Sequence, residues 1–125
     1  MSGQDPPRLQ VHQAEQRHGG MLVSLTGELD VQTSLAIREA IIRIALPRTT
    51  RYLLLDLSGL TYCATGGLYS LLGMTDALEV VGVSVQIVRI STAVQAVVRT
   101  SEQLTRLPLT AAATGPDTGA SWPHH

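Results

Sequence analysis

The 125-residue chain is 44% hydrophobic, which supplies enough apolar surface for one domain with a core of its own. Its nine basic residues are all arginine and its formal net charge is -1, so it has no strongly basic field to hold nucleic acid or an anionic membrane. Cys63 is the only cysteine, which excludes an internal disulfide, a thiolate-only metal site and a two-cysteine redox motif.

The N-terminal part of the chain predicts a β-hairpin. Residues 9–17 alternate loosely between apolar and polar side chains, residues 18–20 supply a turn, and residues 21–26 alternate again. Gly27 is expected to end the second strand. The first strand is unusually polar, which favours a place at the edge of a sheet.

A helix is expected next, with Asp30 or Thr33 as its N-cap and Pro47 as its end. Its buried face is predicted from apolar residues at helical spacing: Ile37, Ile41, Ile44 and Ala45. The arginines off this stripe, Arg38, Arg43 and Arg48, are expected to face solvent, where some of them could contact an acidic partner surface.

The central stretch predicts a buried strand, a turn and a second helix. Residues 52–56 form an almost continuous apolar run, and a short polar turn is expected to follow. The helix is indicated by the spacing of Leu68, Leu71, Leu72 and Leu78. Residues 64–67 are small enough for another molecule to approach the backbone closely. Backbone N–H groups collect where a helix begins, so a ligand or partner is expected to meet the protein at this turn.

The remaining chain predicts a strand at residues 83–90, a helix capped by Ser91 or Thr92, and a short extended segment at 107–109. The order β-β-α-β-α-β-α-(β) is typical of an α/β domain with helices packed on a mixed sheet. We expect a single domain at residues 9–109, a flexible N-terminus at 1–8 and a disordered tail at 110–125.

Small-molecule chemistry has little support in the sequence. The chain has no lysine for a Walker-type phosphate loop, and its histidines show no metal-ligand spacing. Cys63 is expected to be a small buried residue, because no helix start or cationic neighbour clearly lowers its pKa. Asp56 is expected to stabilise the turn at Ser58 and Gly59. Neither a cofactor, a metal nor catalytic residues are predicted.

Three segments resemble the STAS domain, in particular the stand-alone anti-sigma factor antagonists of bacteria. They are GELD at 27–30, LLLDLSGLTYCATGGLYSLL at 53–72 and VSVQIVRISTAVQAVVR at 83–99. The resemblance spans about residues 9–109 and implies a single STAS-like α/β domain. It also implies a regulator of transcription that binds an anti-sigma factor, a serine kinase-like protein, and so controls sigma factor availability by partner switching. A cytoplasmic location is expected because the sequence has no apolar stretch of the roughly 18–20 residues that span a bilayer and no hydrophobic signal region at its N-terminus.

In that family the turn usually reads Asp-Ser-Ser-Gly-Leu or Asp-Ser-Thr-Gly-Leu, and the hydroxyl residue before Gly-Leu accepts a phosphoryl group. When this pattern is laid on the chain, Ala64 falls on the aspartate, Thr65 on the first serine and Gly66 on the acceptor, and Gly67 and Leu68 fall on Gly-Leu. The acceptor hydroxyl and the acid are both missing. Phosphorylation is therefore not expected at Gly66. Thr65 is a displaced candidate acceptor, although a role as helix N-cap is favoured for it.

The resemblance implies that the partner binds through the turn and the region of Asp30, with Thr61, Ala64, Thr65, Gly66, Gly67 and Leu68 as site residues. Asp30 is equally well interpreted as a helix cap. A degenerate scaffold subunit that has lost partner switching is an alternative function, and a small-ligand or nucleotide-binding protein is a weaker one. No nucleic acid or membrane partner is expected, and the protein is expected to be a monomer or weak homodimer.

Overall fold

The computed structural model describes residues 8–46 and 49–110. The predicted flexible segments at 1–8 and 110–125 lie outside the described residues, apart from Arg8 and Thr110. The position of Pro47, predicted to end the first helix, also lies outside them.

The predicted order of strands and helices is confirmed. The elements are β1 (Leu9–Gln16), β2 (Gly20–Leu29), α1 (Val31–Ala45), β3 (Tyr52–Cys63), α2 (Thr65–Val80), β4 (Ser84–Ile90) and α3 (Thr92–Val98). Two 3₁₀ turns, Arg17–Gly19 and Glu102–Arg106, lie between β1 and β2 and after α3. The optional last strand is a single parallel bridge between Ile87 and Leu109.

The four strands form one mixed sheet in the order β1-β2-β3-β4. β1 and β2 are antiparallel, whereas β2, β3 and β4 run parallel to one another. The two parallel connections pass through α1 and α2, because parallel neighbouring strands need a crossover of a dozen or more residues, usually a helix. β1 is an edge strand, as its polar sequence predicted.

One hydrophobic core joins the sheet to the helices. The strands contribute alternate residues, among them Val23, Leu25, Leu53, Leu55, Val85 and Ile87. The predicted apolar stripes of α1 and α2 face the same core, and Ile37, Ile41, Leu68 and Leu71 are almost fully buried. Burial of such side chains is the main source of stability for a domain of this size.

The ends of two strands differ from the sequence prediction. β2 does not stop at Gly27 but continues to Leu29, and Gly27 has a φ of 113°, which glycine adopts readily. β3 runs on through the predicted polar turn to Cys63. Register shifts between β2 and β3, after Ser24 and after Gly27, add extra residues to β3. Such β-bulges let polar or small residues stay within a strand.

The beginnings of α1 and α2 approach each other very closely. A Cβ atom at Gly67 would lie 3.0 Å from the backbone of Asp30 and 2.9 Å from Cγ of Leu29. Only a residue without a side chain therefore allows the first turn of α2 to sit against the junction of β2 and α1. Gly73, in the middle of α2, has no such neighbour within 4 Å.

These two glycines give a matched pair of substitutions. Gly67→Ala is expected to lower the free energy of unfolding by about 1–3 kcal/mol, because the backbone of Asp30 cannot move aside without strain. Gly73→Ala, in the same helix, is expected to raise it by about 0.4–1 kcal/mol, since alanine restricts the unfolded chain and meets open space. Urea unfolding of both proteins measures the difference. Equal effects of the two substitutions would contradict the close approach.

Candidate functional site

The ends of β2 and β3 bring two of the predicted site segments together. The N–H of Ala64 donates to the carbonyl oxygen of Leu29 at 2.8 Å, and the hydroxyl of Thr61 donates to that of Gly27 at 3.1 Å. Leu29 and Cys63 are also in register at the end of the parallel pair. The GELD segment and the turn before α2 therefore form one continuous surface, although 30 residues or more separate them in sequence.

The helix cap predicted for Thr65 is wrong. Ala64 occupies the N-cap position with extended φ and ψ of -92° and 149°, and Thr65 is the first helical residue. No side chain caps this helix start. The Thr65 side chain is exposed, and no hydrogen bond engages its hydroxyl within the described part of the chain. Its oxygen is therefore free to meet solvent or a partner.

The two glycines that follow have different surroundings. Gly66 is exposed, whereas Gly67 is buried against Asp30. A Cβ atom at Gly66 would lie 2.7 Å from Cγ2 of Val31, the first residue of α1. A larger residue at position 66 would thus require the Val31 side chain to rotate away. Leu68 has 0% exposure, so it contributes to this surface only by fixing α2 to the core.

Asp30 is the N-cap of α1, one of the two roles predicted for it. Its Oδ1 accepts a 2.8 Å hydrogen bond from the N–H of Thr33, and the Thr33 hydroxyl accepts one of 2.9 Å from the N–H of Asp30. The second oxygen, Oδ2, accepts a hydrogen bond from the guanidinium of Arg8. Arg8 also pairs with Glu28 at 3.1 Å. The carboxylate thus has a structural task at both oxygens.

The charge state of this cluster follows from those bonds. The hydrogen bond from the Thr33 backbone, followed by that from Arg8, lowers the pKa of Asp30. The hydrogen bonds of Arg8 to Asp30 and then to Glu28 raise the pKa of its guanidinium. Arg8 was missed by the sequence reasoning. The hairpin register indicates its place, because Leu9 pairs with Gly27 and so brings Arg8 beside Glu28.

Large apolar side chains in the segments that form this end of the domain are exposed. Val31 is 60% exposed, Leu35 lies one turn further along α1 and is 58% exposed, and Tyr62 at the end of β3 is 52% exposed. We call the surface formed by Asp30, Val31, Leu35 and residues 61–66 the turn face. Exposed apolar residues next to small residues are a common feature of protein interfaces. The predicted site residues do not include Val31, Leu35 and Tyr62, because the exposure of these side chains depends on how the elements pack together.

Asp56 and Cys63 have structural roles. Asp56 Oδ1 accepts hydrogen bonds from the N–H and the hydroxyl of Ser58 at 2.9 and 2.6 Å, and Oδ2 lies 3.7 Å from Nε of Arg89. These contacts hold the bulge in β3 in place. Cys63 is buried, and burial raises the pKa of its thiol to about 11. Both residues match the structural interpretation of the sequence.

Within the described ranges, no three His, Cys, Asp or Glu side chains lie close enough together to hold a metal ion. The helices of residues 8–46 and 49–110 include none long and apolar enough to cross a membrane.

Comparison with known proteins identifies the fold. A family model for the STAS domain matches residues 12–110. An anti-sigma factor antagonist from Mycobacterium paratuberculosis is 22% identical, with a TM-score of 0.67 over 81% of this chain and 84% of that one. SpoIIAA of Bacillus, in its unphosphorylated form, is 19% identical, with a TM-score of 0.63 over 81% of this chain and 88% of that one.

The same fold also occurs inside a larger protein. The murine anion transporter Slc26a9 is 21% identical, with a TM-score of 0.63 over 78% of this chain and only 17% of that one. No curated protein sequence matches the chain. At these identities the structural likeness establishes the fold, and the function has to be argued from the turn face.

The charge of Asp30 predicts a pH dependence. Because folding lowers the pKa of this carboxyl, its contribution to stability is complete above the unfolded-chain pKa of about 3.9 and is lost as pH falls through the lower folded value. Asp30→Asn keeps a capping side chain but removes the charge. The thermal midpoint of the wild type should exceed that of Asp30→Asn at pH 6, and the gap should narrow as pH falls from 5 to 2. A gap that stays constant over this range would contradict the assigned ion pair.

The burial of Cys63 predicts a thiol that does not react in the native protein. With a pKa of about 11, only about one thiol in a thousand is ionised at pH 8, and the thiolate is the nucleophile. Iodoacetamide should modify Cys63 at least about a hundredfold more slowly in the native protein than in urea. Mass spectrometry of timed samples measures both rates. Native labelling at the unfolded rate would show that the end of β3 opens readily.

Proposed function

The chain belongs to the STAS domain family, and from this and the turn face we propose that it is an anti-sigma factor antagonist-like regulator. It binds an anti-sigma factor, a serine kinase-like protein, and so controls the availability of a sigma factor for transcription. The single observation that carries this proposal is the exposed, partly apolar turn face at the start of α2. The structural likeness to stand-alone antagonists supports it.

The turn face has the properties of a docking surface. Its backbone is held rigidly by the hydrogen bonds from Ala64 and Thr61 to β2, so a partner meets a preformed shape. Gly66 and Thr65 are exposed and small at that point, which allows close contact between two backbones. Val31, Leu35 and Tyr62 supply the apolar area that such a contact buries.

We further propose that this regulator is not switched by phosphorylation at position 66. SpoIIAA has been solved in both unphosphorylated and phosphorylated forms. Gly66 has no oxygen to accept a phosphoryl group. The exposed hydroxyl of Thr65 is one residue away, and one helical residue turns a side chain by roughly 100°. Phosphoryl transfer depends on in-line positioning, so Thr65 does not inherit the acceptor geometry.

A degenerate scaffold is the second candidate function. It is favoured by the combined loss of the acid at Ala64 and the acceptor at Gly66, which leaves the turn without either polar group of the family pattern. In that case the protein is an interaction subunit that takes no part in partner switching. The two functions differ in whether an anti-sigma factor binds the turn face.

The test restores the missing hydroxyl. A serine at position 66 would press on Val31, so Gly66→Ser is combined with Val31→Ala, and Val31→Ala alone and Gly66→Ala with Val31→Ala serve as controls. The anti-sigma factors of the native organism, each purified on its own, are incubated with each variant and ATP. Phosphate is mapped by mass spectrometry and binding is measured by calorimetry.

The wild type should bind with and without ATP and carry no phosphate at residues 61–68. The serine variant should gain phosphate at position 66 and release the anti-sigma factor in the presence of ATP. Both control variants should continue to bind it. Phosphate on Thr65 of the wild type that is absent from Thr65→Ala would identify Thr65 as the acceptor. It would overturn the proposal that this regulator is not switched by phosphorylation. If neither the wild type nor any variant binds an anti-sigma factor, the proposed function is wrong and the scaffold function is favoured.

A further inference from the structure

A second uncovered surface lies at the opposite end of α1 and α2. The two helices start side by side at Val31 and Gly66 and run in the same direction over the sheet. Their C-terminal halves leave a furrow of about 620 Å³ between them. One wall consists of Arg38 and Ile42 on α1 and Leu46 at its C-cap, and the other of Gly73 and Ala77 on α2 and Val81 at its C-cap. It adjoins the turn face on α1, where Leu35 and Arg38 are about 5 Å apart along the helix axis, and extends from there to the C-terminal ends of both helices.

The furrow exists because small residues line α2 there. A Cβ atom at Gly73 would meet nothing within 4 Å, so this position is hollow and not filled by a neighbour. Glycine in a helix interior costs about 1 kcal/mol relative to alanine. The helix is therefore less stable than alanine would make it, and the space above it stays open.

Apart from Arg38, the residues that form the walls of the furrow are apolar, and their largest side chains are exposed to solvent. Leu46 and Val81 are each 72% exposed and Ile42 is 44% exposed. Contiguous apolar side chains on the surface of a small domain commonly mark a place where another molecule binds.

The rim of the furrow is positively charged. Arg38 on α1 and Arg51 before β3 both line it, and among the residues that the structure describes no aspartate or glutamate does. Neither guanidinium forms an ion pair within residues 8–46 and 49–110, where the pairs found involve Arg8, Arg89 and Arg106. A ligand with carboxylates beside apolar groups would match both the walls and the rim.

The shape of the walls indicates a helix as the occupant. The wall residues 38, 42 and 46 follow α1 to its C-cap, and the wall residues 73, 77 and 81 follow α2 to its C-cap. Each set is an i, i+4, i+8 ridge about 12 Å long. Ridges of this spacing accept a further helix by packing into the groove between them. We propose that the furrow binds an amphipathic helical segment of a protein partner, with an apolar stripe that faces α1 and α2 and carboxylates that pair with Arg38 and Arg51.

The probe is a synthetic peptide of about four helical turns with leucines at i, i+3, i+4 and i+7 and glutamates on both flanks of this stripe. A matched peptide has lysine at each glutamate position. Binding to the full chain is measured by fluorescence anisotropy and mapped by backbone amide NMR. The glutamate peptide should bind at least about tenfold more tightly than the lysine peptide and shift the amides of the furrow walls.

Two variants test the walls and the rim separately. Gly73→Leu fills the hollow and should abolish binding of the glutamate peptide while the thermal midpoint stays equal or rises. Arg38→Gln with Arg51→Gln should remove the preference for the glutamate peptide. Arg43→Gln with Arg99→Gln removes the same charge away from the furrow and should leave the preference unchanged.

The proposal is overturned if both peptides bind equally well, if Gly73→Leu binds like the wild type, or if the shifted amides lie on the turn face. It is also overturned by any other occupant. A concentration-dependent dimer that Gly73→Leu abolishes would assign the furrow to a second copy. Furrow amides that shift on deletion of residues 111–125 would assign it to the chain's own C-terminal segment. Shifts with dodecanoate but not with the peptide would assign it to a small amphiphile.

Discussion

The contact of Gly67 with the backbone of Asp30 is the constraint on which the rest of the site depends. At 3.0 Å from a hypothetical Cβ, the junction of β2 and α1 leaves no room for a side chain at the start of α2. This contact sets the spacing of the two helices at one end of the sheet. It also brings Val31 over Gly66 and so joins two segments that are far apart in sequence into one turn face. A packing requirement in the backbone thus decides which side chains a partner meets.

The fold was largely predictable because its periodicities are strong, whereas the strand ends were not. Ile37, Ile41 and the leucines of α2 repeat at helical spacing, and the core confirms them. Ser58 and Gly59 look like a turn in the sequence, yet they lie inside β3 because register shifts against β2 absorb them. A bulge depends on the pairing of two strands, and a single segment carries no sign of it.

The site was predictable only in its outline. The grouping of Asp30 with the turn came from a family resemblance, and the hydrogen bond from Ala64 to Leu29 gives its physical basis. The capping position was misplaced by one residue, because threonine is favoured there and alanine is not. The exposed state of Val31 and Leu35 depends on where α2 lies against α1, which the spacing of apolar residues in α1 alone does not define.

Gly66 and Val31 are best understood as a pair. A serine or phosphoserine at position 66 would need the space that Val31 Cγ2 now fills. A phosphate there would lie near the exposed apolar side chains of Val31 and Leu35, which cannot pair with its charge. Glycine removes the hydroxyl and at the same time lets an apolar side chain close over the backbone. The turn face therefore combines exposed apolar side chains with the absence of a hydroxyl at position 66, the two features on which the proposed unswitched contact rests. The missing side chain at Gly66 and the position of Val31 are thus linked by one close contact.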